Sequence, residues 1–201
     1  MARAPKFQSL MDRYVVPEDR FISSEFAGVL SVHKMIGLHG PSGIGKSAFL
    51  TYLAHQCASR GSRDPLLRRL VPIFIDLSVA GGLDPEVMVR TELRKYGDLT
   101  DKKLTEALLD EGGFLFLFDG LNEVSQASRL TIVQFADLHR NHSYSCLTAQ
   151  VATEELKQVS TLMTGSPLSE EKVKQLIRKL AIDSNTQQER FDPTSLLAAR
   201  V

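Results

Sequence analysis

The sequence has little that would cross-link it through covalent bonds or metals. It contains no tryptophan and two cysteines, Cys57 and Cys146, among its 201 residues. Two cysteines far apart in the chain provide neither the paired spacing of a zinc site nor a disulfide framework. We therefore predict that both are buried free thiols in a reducing compartment.

The chain also lacks an excess of charge of one sign and a long hydrophobic run. Lys plus Arg and Asp plus Glu each number 24, so no broad electrostatic binding to nucleic acid or to an anionic membrane is indicated. The densest apolar run, residues 114–118, is far too short to span a bilayer. The N-terminal segment MARAPKFQSLMDRY has no apolar centre of a secretion signal. These absences predict a cytoplasmic protein without a membrane span.

What the chain does contain is a regular alternation of apolar strands and helical patterns. Hydrophobic residues make up 43% of it, which is enough to build the core of one ordinary domain. The run at residues 114–118 is apolar at every position, which is typical of a central parallel strand covered on both faces. The order predicts an open α/β sheet. The predicted strands are residues 31–40, 70–80, 114–118, 144–151 and 160–165.

The octamer GPSGIGKS lies between the first predicted strand and the helix that follows it. It matches the phosphate-loop pattern G-x-x-x-x-G-K-[ST]. Glycines let main-chain N–H groups turn inward, and the helix N-terminus adds partial positive charge for a phosphate. Lys46 can reach the β- and γ-phosphates, and the Ser47 hydroxyl can hold Mg²⁺. The predicted nucleotide-binding residues are Gly40, Pro41, Ser42, Gly43, Ile44, Gly45, Lys46, Ser47 and Ala48.

A second acidic site follows the strongest strand, in the segment FLFLFDGLNEV. Asp119 ends that strand, where open α/β sheets bind ligands, and its carboxylate can hold Mg²⁺ together with Ser47. Glu123 can polarise an attacking water as a general base, and with Lys46 it is our predicted catalytic residue. Asn122 can orient that water but cannot accept its proton. The alternative is that Asp119 is a turn residue and Glu123 a surface acid before a helix.

These two segments together resemble the NACHT group of P-loop ATPases, which belongs to the signal-transduction ATPase (STAND) class and occurs in NLR-like defence proteins. The group has an apolar strand, then Asp, a small residue, an apolar residue and two acidic residues. Here Asp119, Gly120 and Leu121 fit the pattern, and Asn122 precedes the acid Glu123. The likeness covers roughly residues 30–200.

The resemblance implies a three-layer P-loop NTPase sandwich with a mainly parallel sheet, followed by a helical subdomain. It also implies an ATP/ADP switch with Mg²⁺ and slow hydrolysis. Its output would be conformational, through flanking effector and sensor domains and a homo-oligomer on activation. We divide the chain into a lead-in arm (1–28, with one short helix near 7–14), the P-loop domain (29–165) and the start of a helical subdomain (166–201). Since an apolar helix ends the sequence, we expect a longer parent protein.

One strand departs from the family pattern. Residues 144–151 occupy the place where the group has an apolar strand ending in Thr-Ser-Arg, and here those three positions read Thr148, Ala149 and Gln150. The arginine would contact the γ-phosphate as a sensor. Gln150 can form a hydrogen bond but carries no charge, so we expect weaker stabilisation of the γ-phosphate. Thr148 and Gln150 are therefore our candidate sensor residues, although Thr148 also suits an ordinary strand.

Two other functions stay open. The first is a domain that binds nucleotide, does not hydrolyse it and acts as a scaffold, which the residues Asn122 and Gln150 favour. The second is an AAA+-like or other P-loop ATPase, or a small-molecule kinase, although a kinase would need a lid and substrate-binding arginines. We find no guanine-recognition motif of the type Asn-Lys-x-Asp, and the choice of adenine is implied by the resemblance alone.

Overall fold

The computed structural model describes residues 20–58, 64–96, 101–159 and 161–164, with no side chains for residues 20–25, 96 and 164. The chain divides into two compact units, residues 1–167 and 168–201, and all described residues lie in the first. The helices are α1 (Arg20–His33), α2 (Lys46–Ala58), α3 (Leu77–Ala80), α4 (Pro85–Leu93), α5 (Lys102–Glu111) and α6 (Gln126–Leu138). The strands are β1 (Met35–His39), β2 (Val71–Asp76), β3 (Phe114–Asp119), β4 (Tyr144–Ala149) and β5 (Thr161–Thr164).

The five strands form one sheet in the order β2-β3-β4-β1-β5, and every pairing is parallel. This confirms the predicted parallel sheet. Strand β4 lies between β1 and β3, with Leu38 opposite Thr148 and Phe118 opposite Leu147. Because the strands are parallel and in this register, the residues that follow β1, β3 and β4 meet at one edge of the sheet.

The interior position of β3 explains its continuous apolar sequence. Phe116 and Phe118 join the core on one face of the sheet, where the Phe116 ring contacts Phe135 of α6 with 5.3 Å between centroids. Leu115 and Leu117 join a second core with side chains of α1 and α2 on the other face. Alternate side chains of a strand point to opposite faces, so a strand covered twice must be apolar throughout. The result is the predicted three-layer α/β sandwich.

The helix ends follow capping chemistry that the sequence shows. The Asp101 carboxylate accepts a hydrogen bond from the Lys103 N–H at the start of α5, and Gly112 ends that helix, as predicted. Asp84 caps α4 in the same way, directly before Pro85 in the first turn. Gly61, the predicted end of the helix after the phosphate loop, lies outside the described residues.

Two predicted strands are too long. Within residues 31–40, the first three residues belong to α1, and strand β1 begins only after Lys34, whose φ of +60° breaks the helix. Within residues 70–80, the strand ends at Asp76 and helix α3 follows. The Asp76 carboxylate accepts a bond from the Ser78 N–H, which turns the chain into the helix.

The division into domains stays a prediction. The expected helix near residues 7–14 and those after residue 166 lie outside the described residues. The proposed boundary at residue 28 falls within α1, where Phe26, Ala27 and Leu30 are buried against the second core. Phe26 and Ala27, which precede that boundary, therefore pack in the same core as the sheet.

Both cysteines are buried free thiols, as predicted. Burial, with a smaller contribution from Asp64, raises the pKa of Cys57 to about 12, and burial raises the pKa of Cys146 well above its usual range. Both thiols are therefore protonated and unreactive at neutral pH. None of the described helices is long and apolar enough to cross a membrane.

An ion pair fastens the segment after β4 to helix α6. Arg129 Nε donates to the Glu155 carboxylate at 3.1 Å, and Arg129 Nη1 donates to the Val124 carbonyl at 3.0 Å. Glu155 is 5% exposed. The pKa of Glu155 lies below its usual value because its own main-chain N–H, the Thr153 hydroxyl and Arg129 stabilise the carboxylate, which outweighs burial. The pair thus joins the turn after β3 to the segment after β4.

Replacing Arg129 by Met should lower the free energy of unfolding by about 2 kcal/mol at neutral pH, because a buried carboxylate loses its cation. A group with a lowered pKa in the folded state contributes stability above its usual pKa, and that contribution disappears as the pH falls through the lowered value. The effect should therefore shrink in urea titrations as the pH falls below the usual pKa of a glutamate.

Arg140→Met is the matched control, because Arg140 pairs with Asp137 at the surface. It should change the free energy of unfolding by no more than about 0.5 kcal/mol at either pH. An equal loss at both pH values for Arg129→Met would show that packing, and not the ion pair, carries the effect.

Candidate functional site

A cleft of about 490 Å³ lies at the carboxyl ends of the strands. Its wall contains the phosphate loop, the residues after β3 and the end of β4, as the topology requires. It is lined by Ser42, Gly43, Gly45, Lys46, Ser47, Ala48, Asp76, Ser78, Asp119, Gly120, Asn122, Glu123, Thr148 and Gln150. The two segments that sequence analysis selected separately, residues 40–48 and 119–123, therefore share one cavity.

The phosphate loop joins β1 to the first turn of α2. Gly43 and Gly45 have φ values of +79° and +92°, a backbone conformation that residues with a Cβ rarely adopt. Ile44 between them is buried in the second core and anchors the loop to the sheet. The first turn of α2 carries no acidic residue, so its N-terminal N–H groups are not countered by a carboxylate of that turn.

Of the nine predicted nucleotide-binding residues, three do not line the cleft: Gly40, Pro41 and Ile44. Gly40 and Pro41 act through their carbonyls, which accept hydrogen bonds from Lys46 Nζ at 2.7 and 3.0 Å. Burial lowers the pKa of Lys46, while Asp119 opposes this effect. The pKa of His39, at the end of β1, is also lowered by burial and, to a smaller extent, by Lys46. The ammonium of Lys46 is thus held by its own loop beside Asp119.

The predicted metal ligand Asp119 is fixed by the predicted sensor residue Thr148. The buried Thr148 hydroxyl donates a hydrogen bond to Asp119 Oδ1 and accepts one from the Gly120 N–H at 2.9 Å. One hydroxyl on β4 therefore satisfies two groups at the end of β3. Because Asp119 Oδ1 accepts this bond, its rotamer is defined and Oδ2 has no bond to Thr148.

Gly120 is the small residue that follows the aspartate, and the structure gives a physical reason for its size. Its φ is +86°, and a Cβ at this position would lie 2.9 Å from Glu123 Cγ. The Glu123 N–H bonds to the Gly120 carbonyl at 2.7 Å, which closes a tight 3₁₀ turn over Leu121–Glu123. A larger residue would force the Glu123 side chain to move and would strain the positive φ, so the glycine suits both the turn and this position of Glu123.

Asn122 and Gln150 contact the same glutamate. Asn122 Nδ2 donates to Glu123 Oε1 at 2.7 Å, and Asn122 Oδ1 accepts from the main-chain N–H of Gln150 at 2.8 Å. Gln150 Nε2 lies 3.5 Å from the same Glu123 oxygen. The amide of Asn122, which we expected to orient a water, is engaged with protein groups on both sides.

Sequence analysis missed Asp76 and Ser78, which also line the cleft. Asp76 is the register partner of Asp119 on the neighbouring strand. Its Oδ1 accepts bonds from both the N–H and the hydroxyl of Ser78, at 3.0 and 2.6 Å. The signal was present, because Asp76 follows an apolar strand just as Asp119 does. It was overlooked because residues 77–80 were predicted to continue the strand.

The residues of the cleft suit a magnesium nucleotide. The Ser47 hydroxyl and the Asp119 carboxylate are oxygen ligands of the kind that Mg²⁺ prefers, and they line the same wall. Lys46 and the amino end of α2 supply positive charge for phosphate groups. Within the described residues, no group of three or more His, Cys, Asp or Glu side chains forms a metal site of protein ligands alone.

Comparison with known proteins identifies the family. A model of the NACHT domain matches residues 34–193, which is most of the chain. The chain belongs to the NACHT domain family. It is therefore a P-loop NTPase domain of the STAND class, and the resemblance that we drew from residues 40–47 and 119–123 is confirmed. This NACHT domain is accordingly a nucleotide-binding switch domain.

Other similarities of the NACHT domain are partial. Lanosterol 14-alpha demethylase erg11 of Schizosaccharomyces pombe is 34% identical over 109 residues, which cover 51% of this chain and 19% of that protein. The chain thus spans about a fifth of the length of this curated relative.

Two solved structures, both 14% identical in sequence, resemble the domain weakly. C. elegans PCH-2 has a TM-score of 0.45, covering 86% of this chain and 47% of that one. A chain of the E. coli MS115-1 HORMA:CdnC:Trip13 complex has a TM-score of 0.44, covering 85% and 64%.

Replacing Thr148 by Val should lower the free energy of unfolding of the NACHT domain by about 2 kcal/mol, because the Gly120 N–H and Asp119 both lose a buried partner at nearly constant volume. Thr105→Val is the control, since the Thr105 hydroxyl is also buried but bonds only to the Asp101 carbonyl. In urea titrations, we expect Thr105→Val to lower the free energy of unfolding about half as much as Thr148→Val does. Equal losses would show that the bond to Asp119 adds nothing.

Proposed function

We propose that this domain binds ATP and ADP with Mg²⁺, hydrolyses ATP slowly, and uses the bound nucleotide as a conformational switch within a longer signalling protein. One observation carries the proposal: the phosphate loop, Asp119 and Glu123 line a single cleft at the carboxyl ends of the strands. Membership of the NACHT family supports the nucleotide. The choice of adenine and the slow rate rest on the family resemblance.

Each residue has a defined task in this proposal. The loop residues Ser42, Gly43 and Gly45 present main-chain N–H groups to the phosphates, and Lys46 moves from its own loop carbonyls to the β- and γ-phosphates. Ser47 and Asp119 would hold Mg²⁺, which neutralises phosphate charge when it is bound. Glu123 would accept a proton from the attacking water.

The output of the switch would be a change in the arrangement of flanking effector and sensor domains and in self-association. A ligand shifts such an equilibrium only by its difference in affinity for the two states. The phosphate loop, Asp119 and Gln150 lie at the strand ends. This part of the domain can provide the difference in nucleotide affinity between the two states. A cytoplasmic location, predicted from the sequence, stays a prediction.

A second candidate is a domain that binds nucleotide without turnover. It is favoured by the hydrogen bond between Asn122 and Glu123, because a carboxylate oxygen that already accepts an amide N–H is less available to a water. The two candidates share the binding site and differ only in hydrolysis.

Replacing Lys46 by Met should weaken ATP binding by about 30-fold, because a cation that bonds phosphate oxygens is lost. Isothermal titration of the 201-residue chain with Mg²⁺ and ATP measures this. Lys34→Met is the control, since the Lys34 ammonium bonds the Tyr144 hydroxyl at the opposite, amino end of the strands. Unchanged affinity for Lys46→Met would refute the proposed nucleotide site, and GTP binding as tightly as ATP would refute the adenine preference.

Replacing Glu123 by Gln should reduce the turnover of ATP by about 100-fold or more, while ATP affinity stays within about threefold, because the phosphate contacts are retained. Phosphate release under single-turnover conditions separates the two candidates. A wild-type chain that binds ATP through Lys46 but releases no phosphate would favour the scaffold. Unchanged turnover in Glu123→Gln would exclude Glu123 as the base.

A further inference from the structure

The two residues at which this chain departs from the NACHT pattern lie close to the same atom, Glu123 Oε1. Asn122 stands where the family has an acid, and Gln150 stands where it has an arginine. Asn122 Nδ2 lies 2.7 Å from Glu123 Oε1, and Gln150 Nε2 lies 3.5 Å from the same oxygen. Sequence analysis treated the two departures as separate losses. The structure shows two neutral amide donors directed at a single carboxylate oxygen.

Asn122 forms this contact with chemistry that an acid lacks. An amide side chain both donates and accepts, whereas an ionised carboxylate only accepts. Asn122 uses both capacities, since its oxygen accepts the Gln150 main-chain N–H at 2.8 Å while its nitrogen donates to Glu123. An aspartate could keep the bond to Gln150 but would place a second negative charge beside Glu123. The asparagine therefore ties the turn after β3 to the residue after β4 and holds the glutamate to both.

We propose that Asn122 and Gln150 act as a positioning pair that restrains the Glu123 carboxylate and keeps ATP turnover low without changing nucleotide affinity. This inference rests on the proposed function, in which Glu123 is the base. A general base must bring a free lone pair within hydrogen-bond reach of the water. The Asn122 amide occupies Oε1 and Gln150 Nε2 lies 3.5 Å from it, so Oε2 is the oxygen that neither amide contacts.

The other charged groups of the cleft are not altered by changing the pair. Lys46 comes from α2, Asp76 from β2 and Asp119 from β3, and all three line the same cavity. In the part of the chain that the structure describes, Asp119 bonds Thr148, and Lys46 bonds the carbonyls of Gly40 and Pro41, so neither depends on Asn122 or Gln150. A change in the pair should therefore act on the hydrolysis step through Glu123 and leave the phosphate contacts intact.

The decisive variant is Asn122→Asp. It is nearly isosteric, keeps the acceptor for the Gln150 N–H and removes the donor to Glu123. We expect kcat to rise about tenfold, as the loss of one bond to a charged group predicts. Because the aspartate adds a negative charge to the cleft, the expectation that KM and ATP affinity stay within about twofold of the wild type applies to the neutral variant Gln150→Met. Gln150→Met, which removes the longer bond, should raise kcat by about twofold. Since both amides donate to one oxygen, the rise in kcat of the double variant should be smaller than the product of the rises in the two single variants.

Asn141→Asp is the control, because it makes the same change of charge at an exposed position between α6 and β4, at the amino end of the strands. It should leave kcat unchanged. Thermal unfolding of each variant identifies a loss of fold, and Gln150→Met tests the pair independently if Asn122→Asp is unstable.

The outcomes separate this inference from the proposed function. A higher kcat in Asn122→Asp, absent in Asn141→Asp, supports the positioning pair. An unchanged or lower kcat in folded Asn122→Asp and Gln150→Met overturns it, while ATP binding that depends on Lys46 still upholds the nucleotide site. Loss of Lys46-dependent binding in the wild-type chain would instead overturn the proposed function itself.

Discussion

The hydroxyl of Thr148 is the contact on which the rest of the cleft depends. Strand β4 lies between β1, which leads into the phosphate loop, and β3, which ends in Asp119. A side chain at the end of β4 therefore lies between the phosphate loop and the acidic segment that follows β3. Thr148 is fully buried and bonds both Asp119 and the Gly120 N–H. We predicted Thr148 as a phosphate sensor. In the structure its hydroxyl orients the Asp119 carboxylate.

The turn after β3 is the second constraint. Gly120 adopts a positive φ and leaves room for Glu123 Cγ, so the smallest residue brings the acid back over the strand end. This gives a steric account of the Asp-Gly pair that marked the family resemblance. The same turn brings Asn122 to the end of β4, where its amide meets Gln150. Thus the positive φ of one glycine shapes the turn that carries both Asn122 and Glu123.

Much of the fold could be predicted from the sequence because strand periodicity, caps and the phosphate-loop pattern are local. Strand β3, the cap at Asp101 and the stop at Gly112 lie where the residues indicate. The break at Lys34 and the strand end at Asp76 could not be predicted. A single positive φ value sets the first, and a side-chain bond within a still apolar segment sets the second. The contacts among Asn122, Glu123 and Gln150 depend on strand order, which the sequence does not state, so they required the structure.

Because Lys46 already bonds its own loop, nucleotide binding exchanges one set of hydrogen bonds at its ammonium for another. Its ammonium donates to the carbonyls of Gly40 and Pro41, so two of its three donors are engaged before a phosphate arrives. A bond to an anion that displaces one of these contributes to affinity only by the difference. The carbonyls of the loop therefore compete with any phosphate for the Lys46 ammonium, and the loop itself sets part of the affinity of the cleft.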